Sequence, residues 1–304
     1  MSLIRKVVIV FCLVFSIQSH ACTDDSELIR DFYKYIELLD VHKLSAYLER
    51  ISLNCDISST RIKNHLVFGE LTVADAKNDR KQIDRLRDEI LQRKLIDSTD
   101  GYFAWKLYVL AQSYYWDGDI TRAVELLNKN KYFFDNNSNR TIDIRLAALL
   151  GDFFSNANSS LSNEKDHYFN LAESKAKQLG LKELMLFVNF RKGKSFFEEV
   201  ANNKIDNSDL LELVHSKEDT VTKGEVLLSL AVYNIGGSAK SFKHYEDAIK
   251  IFKDFGVSRS EIEAIILYVD ASINSGNINI ADDLLLLRDP HKFPPIISTL
   301  CQFD

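Results

Sequence analysis

The residues with the right chemistry for catalysis sit in the wrong patterns for it. His20, His42, His65, His167, His215, His244 and His291 form no H-E-x-x-H pair, and no C-x-x-C is present, so no metal ligand set is expected. Gly193-Lys194-Ser195 resembles the end of a phosphate-binding loop. Val188 stands where such a loop needs its upstream glycine, and the surrounding pattern is helical with no preceding strand. G-x-S-x-G is absent, and Gly236-Gly237-Ser238 reads as a turn. Adjacent acids such as Glu198-Glu199 and Asp282-Asp283 diverge by about 100° around a helix, so neither pair faces one substrate. Asp84 and Asp88 share a face, but beside Arg80, Arg85 and Arg87 they read as a solvated surface. No catalytic residue and no cofactor site is assigned. The remaining chemistry is recognition. Residues 105–127, WKLYVLAQSYYWDGDITRAVELL, hold both tryptophans and three of the twelve tyrosines, and such amphipathic rings anchor interfaces.

The elements that must carry these rings are helices. Ile83, Leu86, Ile90 and Leu91 recur at helical spacing with charged residues between them. All three prolines, Pro290, Pro294 and Pro295, lie near the C-terminus, so nothing upstream breaks a helix by removing a backbone donor. Leu107, Leu110, Ala111 and Tyr114 form one stripe, Gly118-Asp119 interrupts it, and Ala123 and Leu127 begin a second. Alanine at positions 111 and 123 lets two antiparallel helices approach closely. The stretch is expected to be a helical hairpin.

These residues resemble the tetratricopeptide repeat, whose pattern runs W-x2-L-G-x2-Y, then A-x3-F, then P. The counterpart is Leu107-x2-Leu110-Ala111-x2-Tyr114 followed by Ala123-x3-Leu127, with Asp135 where the proline would fall. Ala147-x2-Leu150-Gly151-x2-Phe154, Phe169-x2-Ala172, Leu227-x2-Leu230-Ala231, Ala248-x3-Phe252 and Ala281-x3-Leu285 extend it over residues 101–288, with the weakest signature between Leu181 and Ser216. Hairpins start roughly forty residues apart, against about 34 in that family and about 40 to 47 in armadillo or HEAT repeats, so a generic α-solenoid is the alternative. The resemblance implies an all-α fold, a right-handed α-solenoid of stacked antiparallel helix hairpins with a concave surface. It places Trp105, Tyr108, Gln112 and Tyr115 on that surface, with Arg145 and Asp152 at matching positions of the next unit. Packing of the aromatics against neighbouring helices is the competing expectation.

Residues 1–21 have Arg5 and Lys6, an apolar run from Val7 to Ile17 and the small-residue end Ser19-His20-Ala21, the pattern of a cleavable signal peptide. Residues 22–100 are expected to be helical, capping the array or adding degenerate units, and 289–304 form a proline-containing tail. After cleavage no span is expected to remain, and the mature chain is placed outside the cytoplasm, in a bacterial periplasm or secreted. Cys22 then stands first, where a lipid anchor is the minority expectation. A Cys22 to Cys55 disulfide competes with unpaired thiols. Without the leader, 36 of the 38 basic residues face 44 acids, a net charge of −8, which disfavours nucleic acid. The sequence therefore leads to a non-catalytic exported scaffold that binds a protein or peptide. A small-molecule sensor and an accessory subunit of an envelope enzyme are the alternatives.

Overall fold

The computed structural model describes residues 25–54, 59–96, 100–135, 140–157, 162–193, 196, 208–235 and 237–277. The leader region, Cys22, Cys55 and the segment containing Ala281, Leu285 and the prolines lie outside them. Fourteen helices make up the described chain, and no strand occurs among the described residues, so the fold is all-α. In order they are α1 Asp25–Glu37, α2 Val41–Asn54, α3 Thr60–Ala76, α4 Arg80–Gln92, α5 Phe103–Trp116, α6 Ile120–Lys129 and α7 Lys131–Asp135. There follow α8 Thr141–Ala157, α9 Ser162–Leu179, α10 Lys182–Arg191, α11 Ser208–His215, α12 Val221–Val232, α13 Ser238–Phe255 and α14 Ser258–Asn274. Among the described residues no helix is long and apolar enough to cross a membrane.

Local sequence chemistry sets many of the helix starts. Asp79, Asp119 and Thr220 accept the backbone N–H of Gln82, Arg122 and Lys223 at 3.2, 3.1 and 3.1 Å, satisfying donors that the first helical turn leaves free. In α4, Ile83, Leu86 and Ile90 are buried as their spacing requires, while Leu91 remains exposed. Arg87 departs from the expected solvated face. It turns inward, donates to the Ser113 carbonyl at 3.2 Å, and pairs with Asp84 and Asp117.

Helices pack in sequence-adjacent pairs: α1 with α2, α3 with α4, α5 with α6, α8 with α9 and α12 with α13. A row also runs through the fold in which α3 touches α5, α5 touches α8, α8 touches α10 and α10 touches α12. Small residues set the closeness of the pairs. Ala111 and Ala123 are fully buried between α5 and α6. A Cβ on Gly151 would stand 2.7 Å from the Phe169 ring of α9, and one on Gly224 would stand 2.9 Å from the Phe252 ring of α13. One apolar cluster runs from Ile29 in α1 to Tyr168 in α9, and a second joins α8, α10 and α12.

The row also returns to its beginning. α14 packs on α13 and touches α3. Val41 of α2 shares an apolar cluster with Val221, Leu227, Phe252 and Ala264. Gly256, which ends α13 at φ 74°, lies so close to His42 that a Cβ would meet the imidazole at 2.8 Å.

Candidate functional site: a charged cluster centred on Arg191

Side chains from five helices act on one another in a charged cluster. α5 contributes Tyr108 and Tyr115, α8 contributes Asp152, α10 contributes Arg191, α12 contributes Glu225, and α14 contributes Glu263. Arg191 is the hub. Its Nη1 donates to Asp152 Oδ2 at 3.0 Å, its Nη2 pairs with Glu225, and its guanidinium lies over Phe190 at 4.7 Å and Phe187 at 5.3 Å. Only 15% of the Arg191 side chain is exposed, and burial alone would lower its pKa; Glu225 and Asp152 more than reverse this and hold it charged. Glu225 is pushed up by burial, which the neighbouring Arg191 only partly opposes.

Two ion pairs flank this centre. Arg145 of α8 meets Glu37 of α1 at 3.4 Å and lies over the Phe187 ring at 4.8 Å. Arg259 of α14 donates to Asp75 of α3 at 2.8 Å across 184 residues, with its guanidinium 4.5 Å from the Trp116 ring. Glu263 differs from all of these. It is open to solvent and, among the described residues, forms no hydrogen bond or ion pair. The surrounding protein, and then Asp152 and Glu225, push its pKa up. Tyr108 is only 5% exposed, its hydroxyl forms no hydrogen bond among the described residues, and burial pushes its pKa up, with Arg191, Asp152, Asp75 and Glu225 also acting on it.

The six residues expected on the concave face therefore divide. Trp105 and Tyr108 are buried in the main apolar cluster, with 6% and 5% exposure. Gln112 and Tyr115 are half-buried, Tyr115 resting 5.0 Å from Phe153. Asp152 is 30% exposed and joined to Arg191, whereas Arg145 is nearly covered by its pairing with Glu37. The burial of Trp105 and Tyr108 has a simple cause. α5 is enclosed by α3, α6 and α8, and every residue from Phe103 to Ala111 is buried, Lys106 included. A helix apolar on all sides belongs inside a protein, and that was the signal to read in this stretch.

Arg191, Glu225, Glu263, Asp75 and Arg259 carry the cluster and its flanks but have no local signature. The ion-pair partners of Arg191, Glu225, Asp75 and Arg259 lie 34 to 184 residues away, beyond the reach of any periodicity.

A second polar cluster is wholly internal. Tyr33 Oη and His65 Nδ1 share a hydrogen bond at 2.9 Å, His65 Nε2 is 3.4 Å from Asp100, and Lys106 Nζ meets the same carboxylate at 2.5 Å. Tyr102 stacks on Tyr33 with ring centroids 3.5 Å apart. His65 is buried. Donation from Lys106 and from the Tyr102 backbone N–H lowers the Asp100 pKa even though burial acts to raise it. With all four side chains covered, the cluster joins α1, α3 and α5 as a structural core network.

Comparison of the chain with models of protein families, with curated proteins and with solved structures finds no match in any of the three.

Proposed function

We propose that the chain is a divergent tetratricopeptide-like α-solenoid of right-handed hairpins that works as a non-catalytic scaffold, binding a peptide or protein partner along its inner helices. Export across the inner membrane, implied by the leader pattern of residues 1–21, belongs to the same proposal. The observation that supports it is the linking of successive helices by polar side chains, Asp152 of α8 to Arg191 of α10 and Arg191 to Glu225 of α12. Serial presentation of this kind suits an extended partner, because each unit offers one contact.

The test is a photo-crosslinking amino acid at position 115, compared with one at Tyr132, an exposed position of α7 outside the cluster. Adducts in the native compartment at 115 and not at 132 support the reading. Equal adducts at both, or none at 115, reject it. A small-molecule sensor is a second reading, favoured by the return of α14 to α3, which brings the last described helix back to the start of the row. A metabolite that raises the melting temperature, where peptides do not, would select it.

A further inference from the structure

We propose that the contact between the two ends of the chain is a latch: the α12–α14 end parts from α2, α3 and Trp116 of α5 along one seam, while each side stays folded. The latch is independent of what the charged cluster binds.

Each side is held together without the other. On the C-terminal side α12 and α13 meet where Gly224 lies under the Phe252 ring, and Tyr268 of α14 stacks on Tyr245 of α13 at 5.3 Å and donates to Glu246 at 3.2 Å. On the N-terminal side α1, α2 and α3 share the cluster that continues through α5 to Tyr168. The apolar contact between the sides is thin. Of the fully buried residues in the cluster that crosses the seam, Val41 alone comes from the N-terminal helices, and the rest belong to α12, α13, α14 and the link at Val257. Partly buried Leu39, Val73 and Ala76 pack beside it, and Gly256 against His42 adds contact of shape only.

The polar part of the seam is a buried ion pair with hydrogen-bonding capacity left over. Arg259 Nη1 donates to Asp75 Oδ2 at 2.8 Å, and the guanidinium lies 4.5 Å from the centre of the Trp116 ring. Asp75 Oδ1, Arg259 Nε and Trp116 Nε1 are buried around this pair, and none forms a hydrogen bond among the described residues. One acceptor and two donors thus sit together without satisfying one another. Burial pushes the Asp75 pKa up and Arg259 only partly opposes it, so the pair does not repay the desolvation of its carboxylate. Parting the seam returns all three groups to water, whose hydrogen bonds offset the loss of the pair. Arg191 and Glu225 carry unmatched atoms as well, but they join helices that share an extensive apolar cluster, and the seam has no such backing.

A buried thiol reports the opening, because iodoacetamide reaches it only when the seam parts. Val41→Cys carries the probe, and Ala111→Cys, fully buried between α5 and α6, is the control away from the seam. The purified full chain is labelled without denaturant, and the modified positions are mapped by mass spectrometry, which separates them from the native cysteines. Position 41 should react about tenfold or more faster than position 111, the sign of a local opening below global unfolding. Adding Asp75→Leu with Arg259→Met, an apolar replacement of the pair, should slow labelling at 41 about tenfold and leave 111 unaltered. Where that double replacement does not fold, Arg259→Lys serves instead: it keeps the charge, gives up the flat stacking on Trp116, and should speed labelling at 41 alone. Equal rates at 41 and 111 in the parent background overturn the latch, since both sites then open only with the whole chain. Fast labelling at 41 that neither change at the pair alters overturns it too, because the opening is then fraying of α2. The readout needs no partner, so failure of the scaffold reading leaves it untouched.

Discussion

Arg191 shows how one side chain holds three helices together. Its partners sit on α8 and α12, so Arg191→Ala removes the bridge and leaves Asp152 and Glu225 facing each other with no cation between them. The expected loss is about 3 to 5 kcal/mol by urea unfolding, the range for stranding one member of a buried pair. A loss under about 1 kcal/mol would mean the network is solvated. Glu263 should behave in the opposite way. Its folded pKa is raised, whereas an unfolded glutamate titrates near about 4.3. Between those values the folded chain keeps a proton that the unfolded chain has lost, so this residue's contribution to stability is complete below the window and lost as pH rises through it. Glu263→Gln should therefore melt with the parent protein below about pH 4 and above it near neutrality. The comparison isolates this carboxylate, since Asp100, whose pKa is lowered and whose stabilisation is lost toward acid, is common to both proteins. Buried Trp105 and Tyr108 are expected to cost about 3 to 5 kcal/mol as alanine variants, against a smaller loss for the half-buried Tyr115.

At the scale of the element, the helices were legible and their neighbours were not. The stripe Ile83, Leu86 and Ile90 and the break at Gly118-Asp119 follow from local spacing, and Asp119 caps α6 as such a residue should. Small residues were readable as close contacts, and Gly151 and Gly224 extend the logic: each sits where a partner helix presses a phenylalanine ring onto the backbone. Gly151→Ala should cost about 1 to 3 kcal/mol through overpacking against Phe169, while Gly101→Ala, with open space around its Cα, should stay within about 0.5 kcal/mol. Equal effects in thermal melts would show that the Phe169 ring yields easily. What local pattern could not supply is which face of α5 meets which neighbour. A stretch apolar on every side gives no hint of orientation, and that is why Trp105 reads equally well as surface or interior until α3 and α8 are placed around it. The same limit hid Arg87, whose inward turn depends on Ser113 and Asp117 from the next hairpin.

For the molecule as a whole, the governing contact is the one between its two ends. Arg259 reaches Asp75, Gly256 rests on His42, and Val41 packs among residues of α12 to α14. Arg259→Ala should expose α3 and α14 to hydrogen exchange together while α8 and α9 keep their protection; uniform loss across the chain would instead mark a single cooperative unit. The tie also sets an order of events. A ribosome delivers the N-terminal helices long before α14 exists, and a contact spanning 184 residues carries a large loop-closure cost. Val41 and Asp75 must therefore wait, uncovered, until the last described helix has emerged, so a polypeptide truncated before residue 258 would be the form most exposed to proteases and to self-association.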